Sequence, residues 1–295
     1  MSSPDNPLEL KLAPAETAEQ LAQRFERERR AVQLQREDRL EHGLKPFRVG
    51  SVPYLNAVPL TRGIEDQIIF APPSRLAEML QRDELDAALV SITEVLFNDR
   101  YDILDGIAIA SLGEVKSVFL AHQAPLEELK VVFCDTASLT SVNLLRVLLA
   151  ERGHRPEFQP LPDYKAATEL EAVLLIGDQA LDFIHSQHSH EIWDLGAAWY
   201  EAYSLPFVYA AWALRRGVAN EDLRRQLREA RDFGIETIDN IISDRTEFTY
   251  DFRKDYLTWH VHFHLGADEQ RGLAKFVELL RRHNPGPVFD PRFVA

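Results

Sequence analysis

Polar side chains recur in this chain directly after short apolar runs, and they are the residues that could do chemistry. Ser51, Tyr54 and Asn56 follow Phe47-Arg48-Val49-Gly50. Ser91 and Thr93 follow Leu85-Asp86-Ala87-Ala88-Leu89-Val90. Ser111 and Ser117 follow Gly106-Ile107-Ala108-Ile109-Ala110. Thr140 and Ser141 lie beyond Val131-Val132-Phe133-Cys134, and Gly177-Asp178 closes Ala172-Val173-Leu174-Leu175-Ile176. In an open α/β sheet, ligands bind just past the carboxyl ends of strands. The loop at 51–56 is therefore read as the first wall of a binding cleft, with Tyr54 serving either as a ligand or as packing under the loop. Ser91 and Thr93 are candidate wall residues or helix caps. No residue stands out as a base. Asp178 is a candidate base or an N-cap, and Asp86 reads as structural. His185, His188 and His190 have metal-like spacing but no supporting carboxylate or cysteine motif, so they read as a surface loop. His260, His262 and His264 alternate with Val261 and Phe263 and read as surface or packing residues. Neither a metal nor a cofactor is expected.

These side chains need a scaffold, and the pattern supplies one. Short apolar runs bounded by turn residues alternate with helical stretches from Phe47 onward, which predicts mostly parallel sheets with helices on both faces. The helix at 141–150 aims free backbone N–H groups and partial positive charge at the cleft. A long apolar strand at 205–215 is expected to pair with 116–121 and carry the chain back to a first lobe. The result is two α/β lobes joined by two crossings, with a ligand between them. The expected domains are 46–116 with 214–295 for the first lobe and 117–213 for the second. Residues 1–45 form a charged extension, disordered at 2–7 and helical from about 16 to 41, ended by Gly43 and Pro46.

Composition narrows the partners. The chain has 295 residues, 45% hydrophobic and 27% charged, with a formal net charge of −14. That balance suits a soluble globular protein and argues against nucleic acid. It also requires a locally neutral cleft if the ligand is an anion. The single cysteine, Cys134, excludes an intrachain disulfide and reads as core. No apolar run reaches the 18 or so residues of a membrane span, and no apolar signal region is seen in the first 30 residues. The expectation is a cytoplasmic protein, with a homodimer possible.

Val49-Gly50-Ser51-Val52-Pro53-Tyr54-Leu55-Asn56, with Pro59-Leu60, resembles the opening motif of the chorismate dehydratases of the futalosine route to menaquinone. Leu85 to Ser91, Ile109 to Val118, Asp135 to Ser141 and Leu174 to Leu181 are similar to later segments of that family. So are Leu195-Gly196 with Trp199, and Leu205 to Trp212. The resemblance covers about residues 47–280. The sister cyclases of dehypoxanthine futalosine open on a Pro-Asn-Asp type segment, where this chain has Pro-Tyr-Leu-Asn. Two departures stand out: Leu139 occupies a position in the fourth segment expected to hold arginine, and the long tail 1–45 is unusual for the family.

The resemblance implies a two-lobe fold like that of type II periplasmic solute-binding proteins. It implies loss of water from chorismate, a dianion, to give 3-[(1-carboxyvinyl)oxy]benzoate. It also implies that Asn56 and either Ser111 or Ser117 contact the enolpyruvyl carboxylate, with Ser111 slightly preferred. Ser51, Ser91, Thr140, Ser141 and the helix amino ends then act as neutral donors to carboxylates. The substrate's own carboxylate is the expected base. The alternatives are a non-catalytic small-carboxylate-binding protein of the same fold, and the sister cyclase.

Overall fold

A computed structural model describes residues 18–44, 46–218, 221–284 and 286–295; the disorder expected at 2–7 falls outside them. The chain divides after Arg39 into two compact units. The described part of the first is the body of helix α1 (Ala18–Gly43). Its interleaved charges and polar pairs, such as Gln33 Nε2 donating to Glu37 Oε1 at 3.2 Å, suit an exposed helix. The second unit begins at Leu40. Leu40 and Leu44 are fully buried, and Gln67 clamps the helix end by donating to the Leu40 carbonyl and accepting from the Leu44 N–H.

The second unit holds two sheets. The first contains β1 (Val49–Ser51), β2 (Ile68–Phe70), β3 (Ala87–Ser91), β4 (Tyr101–Ser111) and, from late in the chain, β10 (Phe207–Arg215) and β11 (Phe293–Val294). Their order is β11-β4-β10-β3-β1-β2. Connecting helices are α2 (Val58–Thr61), α3 (Pro73–Gln81) and α4 (Ile92–Phe97). The second sheet contains β5 (Val118–His122), β6 (Val131–Cys134), β7 (Glu157–Pro160), β8 (Ala172–Ile176) and β9 (Glu191–Asp194), ordered β7-β6-β8-β5-β9. Its helices are α5 (Leu139–Glu151), α6 (Gly177–His185) and α7 (Leu195–Tyr203). The chain closes with α8 (Glu221–Glu236), α9 (Ile238–Asp244), α10 (Tyr250–Asp255), a π-helical turn at Tyr256–His260, and α11 (Ala267–His283).

Both sheets are mixed. β2-β1-β3 and β7-β6-β8 are parallel; β1, β3 and β8 are buried throughout, as strands covered on both faces are, while the outer β2 and β7 are partly exposed. The strands that lead between lobes run the other way. β10 pairs antiparallel with β3 and β4, Trp212 opposite Leu89, and does not pair with β5 as its position in sequence suggested. The reason is geometric: β4 leaves the first lobe and β10 returns to it, so the two lie side by side in opposite directions.

β1 sits between β2 and β3, and β6 between β7 and β8, so the connections diverge at the carboxyl ends of β1 and β6. Such switch points open the crevices where α/β sheets take ligands.

Candidate active site

Loops at both switch points meet around one cavity of about 70 Å³. Tyr54 and Asn56 come from the loop after β1, Ser91 from the end of β3, and Ser117 from the crossing before β5. Ser138 and Ser141 come from the start of α5, Gly177 from the start of α6, and Tyr209 from β10. Apolar groups such as Leu89, Ile109 and Ile176 fill the rest of the wall. Among the described residues, no lysine, arginine, histidine, cysteine or carboxylate lines it. The lining polar groups are hydroxyls, an amide and two phenols.

Hydroxyls also join the lobes across the cleft. Ser91 Oγ and Ser138 Oγ share a hydrogen bond at 3.1 Å. The Thr93 N–H donates to Thr140 Oγ1 at 3.1 Å, and the two threonine hydroxyls lie 3.2 Å apart. Ser138 is the N-cap of α5 and accepts from the Ser141 N–H. The amino end of a 13-residue helix is therefore aimed at the cavity with its first donors arranged by serines.

A three-membered relay holds the opening loop. Asn56 Nδ2 donates to the Tyr256 hydroxyl at 3.2 Å, and that hydroxyl donates to Ser117 Oγ at 2.8 Å. Tyr256 is buried to 1% exposure, and burial raises its pKa well above the ordinary phenol value, so it stays a neutral donor. Among the described residues Asn56 Oδ1 is buried with no hydrogen-bond partner, an acceptor available to a ligand hydroxyl, while the second Nδ2 hydrogen can donate to a carboxylate. Tyr54 packs its ring on Gly177, where a φ of +56° favours glycine and a Cβ would meet the ring at an ordinary 3.5 Å. Burial, then Asp135 and Asp178, push the Tyr54 phenol up to about 12.

The crossing that carries Ser117 is braced from beneath. Asp194 accepts from the N–H groups of Val115 and Lys116, at 3.1 and 2.7 Å, and caps α7 through Ala197 N–H at 2.9 Å. A Cβ on Gly196 would fall 2.4 Å from the Gly113 carbonyl oxygen, so only glycine lets α7 sit this close.

The structure sorts the residues expected from sequence. Tyr54, Asn56, Ser91, Ser117, Ser141 and Gly177 share the cavity. Ser51 does not reach it: it is fully buried and donates to the Val52 carbonyl at 3.4 Å, because alternation along β1 turns it into the core. Ser111 is likewise turned away, donating to the Gly113 carbonyl at 3.0 Å beside the Tyr209 hydroxyl at 3.1 Å. Thr140 is consumed by its contact with Thr93. Asp178 lies in the first turn of α6 and accepts from the Leu55 N–H, tying the second lobe to the opening loop. Burial raises its pKa. Asp86 binds Arg48 and Arg215 at 3.0 and 2.7 Å, a structural role.

Ser138, Tyr209 and Tyr256 belong to the site and escaped the sequence reading. Ser138 carried a signal, a serine three residues before another at a helix start. The tyrosines carried none: Tyr256 is 139 residues from Ser117, and Tyr209 is 98 from Ser111.

Two α/β lobes, two crossings and an interlobe cavity define a protein of the type II periplasmic-binding-protein-like class. Solved structures agree on the fold. A protein of Archaeoglobus fulgidus superposes with TM-score 0.65 at 19% identity, covering 80% of this chain and 97% of the other. The periplasmic aliphatic sulphonate binding protein of Escherichia coli gives 0.56 at 15% identity, covering 84% and 93%. Within that class the chain belongs to the menaquinone biosynthesis family, which residues 47–282 match. A chorismate dehydratase of Thermus thermophilus is 30% identical over 273 residues, covering 85% of this chain and 99% of that protein.

Proposed function

We propose that this chain is a cytoplasmic hydro-lyase that removes water from chorismate to give 3-[(1-carboxyvinyl)oxy]benzoate. The family and the 30% identical dehydratase support the activity. The observation that carries the mechanism is a cavity whose polar lining is entirely neutral.

The substrate needs little from the protein's acid–base groups. Its C3 hydrogen is activated by conjugation through the ring alkene to the C1 carboxylate. The C3–H bond breaks, its electron pair enters the ring, and the C4–O bond breaks with the hydroxyl leaving. The proton and hydroxide together make the water released, and the ring becomes aromatic. With no side-chain base in the wall, the enolpyruvyl carboxylate takes the C3 proton. The protein's task is to hold a flexible dianion in the reactive pose, where positioning and directed dipoles supply the acceleration.

Asn56 and Ser117, fixed by Tyr256, hold the enolpyruvyl carboxylate. Ser117 takes the role that sequence divided between it and Ser111, because Ser111 faces away from the cavity. Ser91, Ser138, Ser141 and the amino end of α5 receive the ring carboxylate. Neutral donors let a protein of net charge −14 bind a dianion without a cation in the wall.

The test mixes purified protein with chorismate, without added metal or cofactor, and follows the ultraviolet spectrum and product mass. The expected result is a product lighter by one water, formed catalytically and at a much lower rate by Asn56→Ala. Stoichiometric binding without product would instead make this a carboxylate-binding protein.

A further inference from the structure

His262, His264 and Glu269 form a cluster apart from the cavity, with one ligand atom of each within 4.8 Å of the others. The sequence places them there by two periodicities. His262 pairs with Ala110 of β4 through backbone hydrogen bonds in both directions, at 2.9 and 3.1 Å, which holds the segment extended. Extended backbone puts His262 and His264 on one face. Glu269 stands in the first turn of α11, just beyond Gly266.

The geometry is that of a chelate. His262 Nε2 and His264 Nε2 lie 3.1 and 3.3 Å from the same carboxylate oxygen, Glu269 Oε1. The two rings stack with centroids 4.3 Å apart. A tetrahedral zinc ion with bonds of about 2.0–2.1 Å separates its ligand atoms by about 3.4 Å. The two edges to Glu269 match that spacing within a few tenths of an ångström, and the edge between the imidazoles is no longer than 4.8 Å. The Glu269 side chain is 6% exposed, and its second oxygen accepts from the Gly266 N–H at 2.8 Å. That backbone donor orients the ligand carboxylate, as supporting contacts do in metal sites. The His264 side chain is 61% exposed, which leaves a path from solvent and room for water ligands.

We propose that His262, His264 and Glu269 bind a divalent transition-metal ion of the zinc type, completed by water. Two imidazoles and one carboxylate select such ions over magnesium or calcium, which prefer all-oxygen shells. The metal acts as a clip. It pins the segment between the π-helical turn that carries Tyr256 and the start of α11, and has no part in the dehydration chemistry.

The experiment uses the full chain with any polyhistidine tag removed and bound metal stripped by chelation. Zinc chloride is titrated calorimetrically, cobalt(II) is followed by its visible absorption, and thermal unfolding is measured with and without zinc. One equivalent binds, cobalt gives the intense visible band of a low-coordinate site, and zinc at about a hundredfold over Kd raises Tm by about 5 °C. His264→Ala changes an exposed side chain and folds; Glu269→Gln keeps the side chain's shape. Each weakens binding at least tenfold, and circular dichroism checks that both are folded. Absence of saturable binding, or unchanged binding in folded His264→Ala, would reduce the cluster to a hydrogen-bonded clip and overturn the proposal.

Discussion

Tyr256→Phe tests whether the relay beneath the opening loop sets the active geometry. The substitution removes one oxygen and leaves the ring, which stacks on Phe252 at 5.7 Å, in place. It deletes the acceptor for Asn56 Nδ2 and the donor to Ser117 Oγ, at 3.2 and 2.8 Å. Each lost hydrogen bond costs about 0.5–1.5 kcal/mol, so folding stability falls by about 1–3 kcal/mol. The effect on turnover is separate. Asn56 and Ser117 lose their common anchor, and a hydrogen bond to a charged group is worth about 1.5–3 kcal/mol when well aligned. Losing that alignment lowers kcat/KM by about tenfold to a hundredfold, at about 1.4 kcal/mol per factor of ten. The assay is initial-rate dehydration of chorismate by Tyr256→Phe, Asn56→Ala and the double variant. If Tyr256 acts through Asn56, its loss matters much less once Asn56 is alanine. Full additivity, or a kcat/KM within twofold of wild type in the single variant, would refute the relay.

Two further predictions follow from buried carboxylates. Asp178→Asn keeps kcat within about tenfold, because the amide still accepts from the Leu55 N–H and in the proposed mechanism no proton passes through this residue; a loss of four orders of magnitude in a folded variant would make Asp178 the base. The second concerns Asp86. Burial pushes its carboxyl up, but hydrogen bonds from the Arg48 side chain and backbone and from Arg215 outweigh it and leave the pKa below the ordinary 3.8. A depressed folded-state pKa contributes stability above the unfolded value and loses it as pH falls through the folded one. The Tm gap between wild type and Asp86→Asn is therefore widest above pH 3.8 and narrows below it, and a gap that widens with acid would contradict the assignment.

How much of this was legible depended on whether the information was local. Strand ends are local: an apolar run closed by Gly50, Ser91 or Gly177 predicts a loop at a carboxyl edge, and those loops do converge. Which way a side chain points at the last strand residue is not local. Ser51 and Ser111 end β1 and β4, and a one-residue phase decides core or cavity. Ser117 escapes that ambiguity only because the crossing is shaped by Lys116 at φ 63° and by Asp194, from another strand. The pairing of β10 was misplaced for a similar reason, since sequence shows that a strand returns but not which neighbour it returns beside. His262 and His264 displayed their alternation openly. Their third partner, Glu269, lay beyond a turn that the alternation could not see across.

The absence of a base in the wall, among the described residues, and the proximity of carboxylates behind it have one physical explanation in the proposed mechanism. Asp135 and Asp178 sit close enough to the Tyr54 phenol to raise its pKa, yet neither lines the cavity. Burial raises the pKa of both, and each accepts a backbone N–H, from Ala137 and Leu55 respectively. They hold loops, and Tyr54 stands among the neutral groups that separate them from the ligand. A carboxylate in the wall would repel the dianion; a lysine or arginine would bind it but would also stabilise the enolpyruvyl carboxylate and make it a weaker base. Hydroxyls and amides avoid both effects. In the proposed mechanism they orient each carboxylate by direction more than by charge, and the proton acceptor keeps enough basicity to remove the C3 hydrogen. Replacing Ser117, which faces the enolpyruvyl carboxylate in the proposed pose, with lysine therefore tightens binding and slows turnover, and a variant in which both KM and kcat rise would break the link drawn here between a neutral wall and a substrate-borne base.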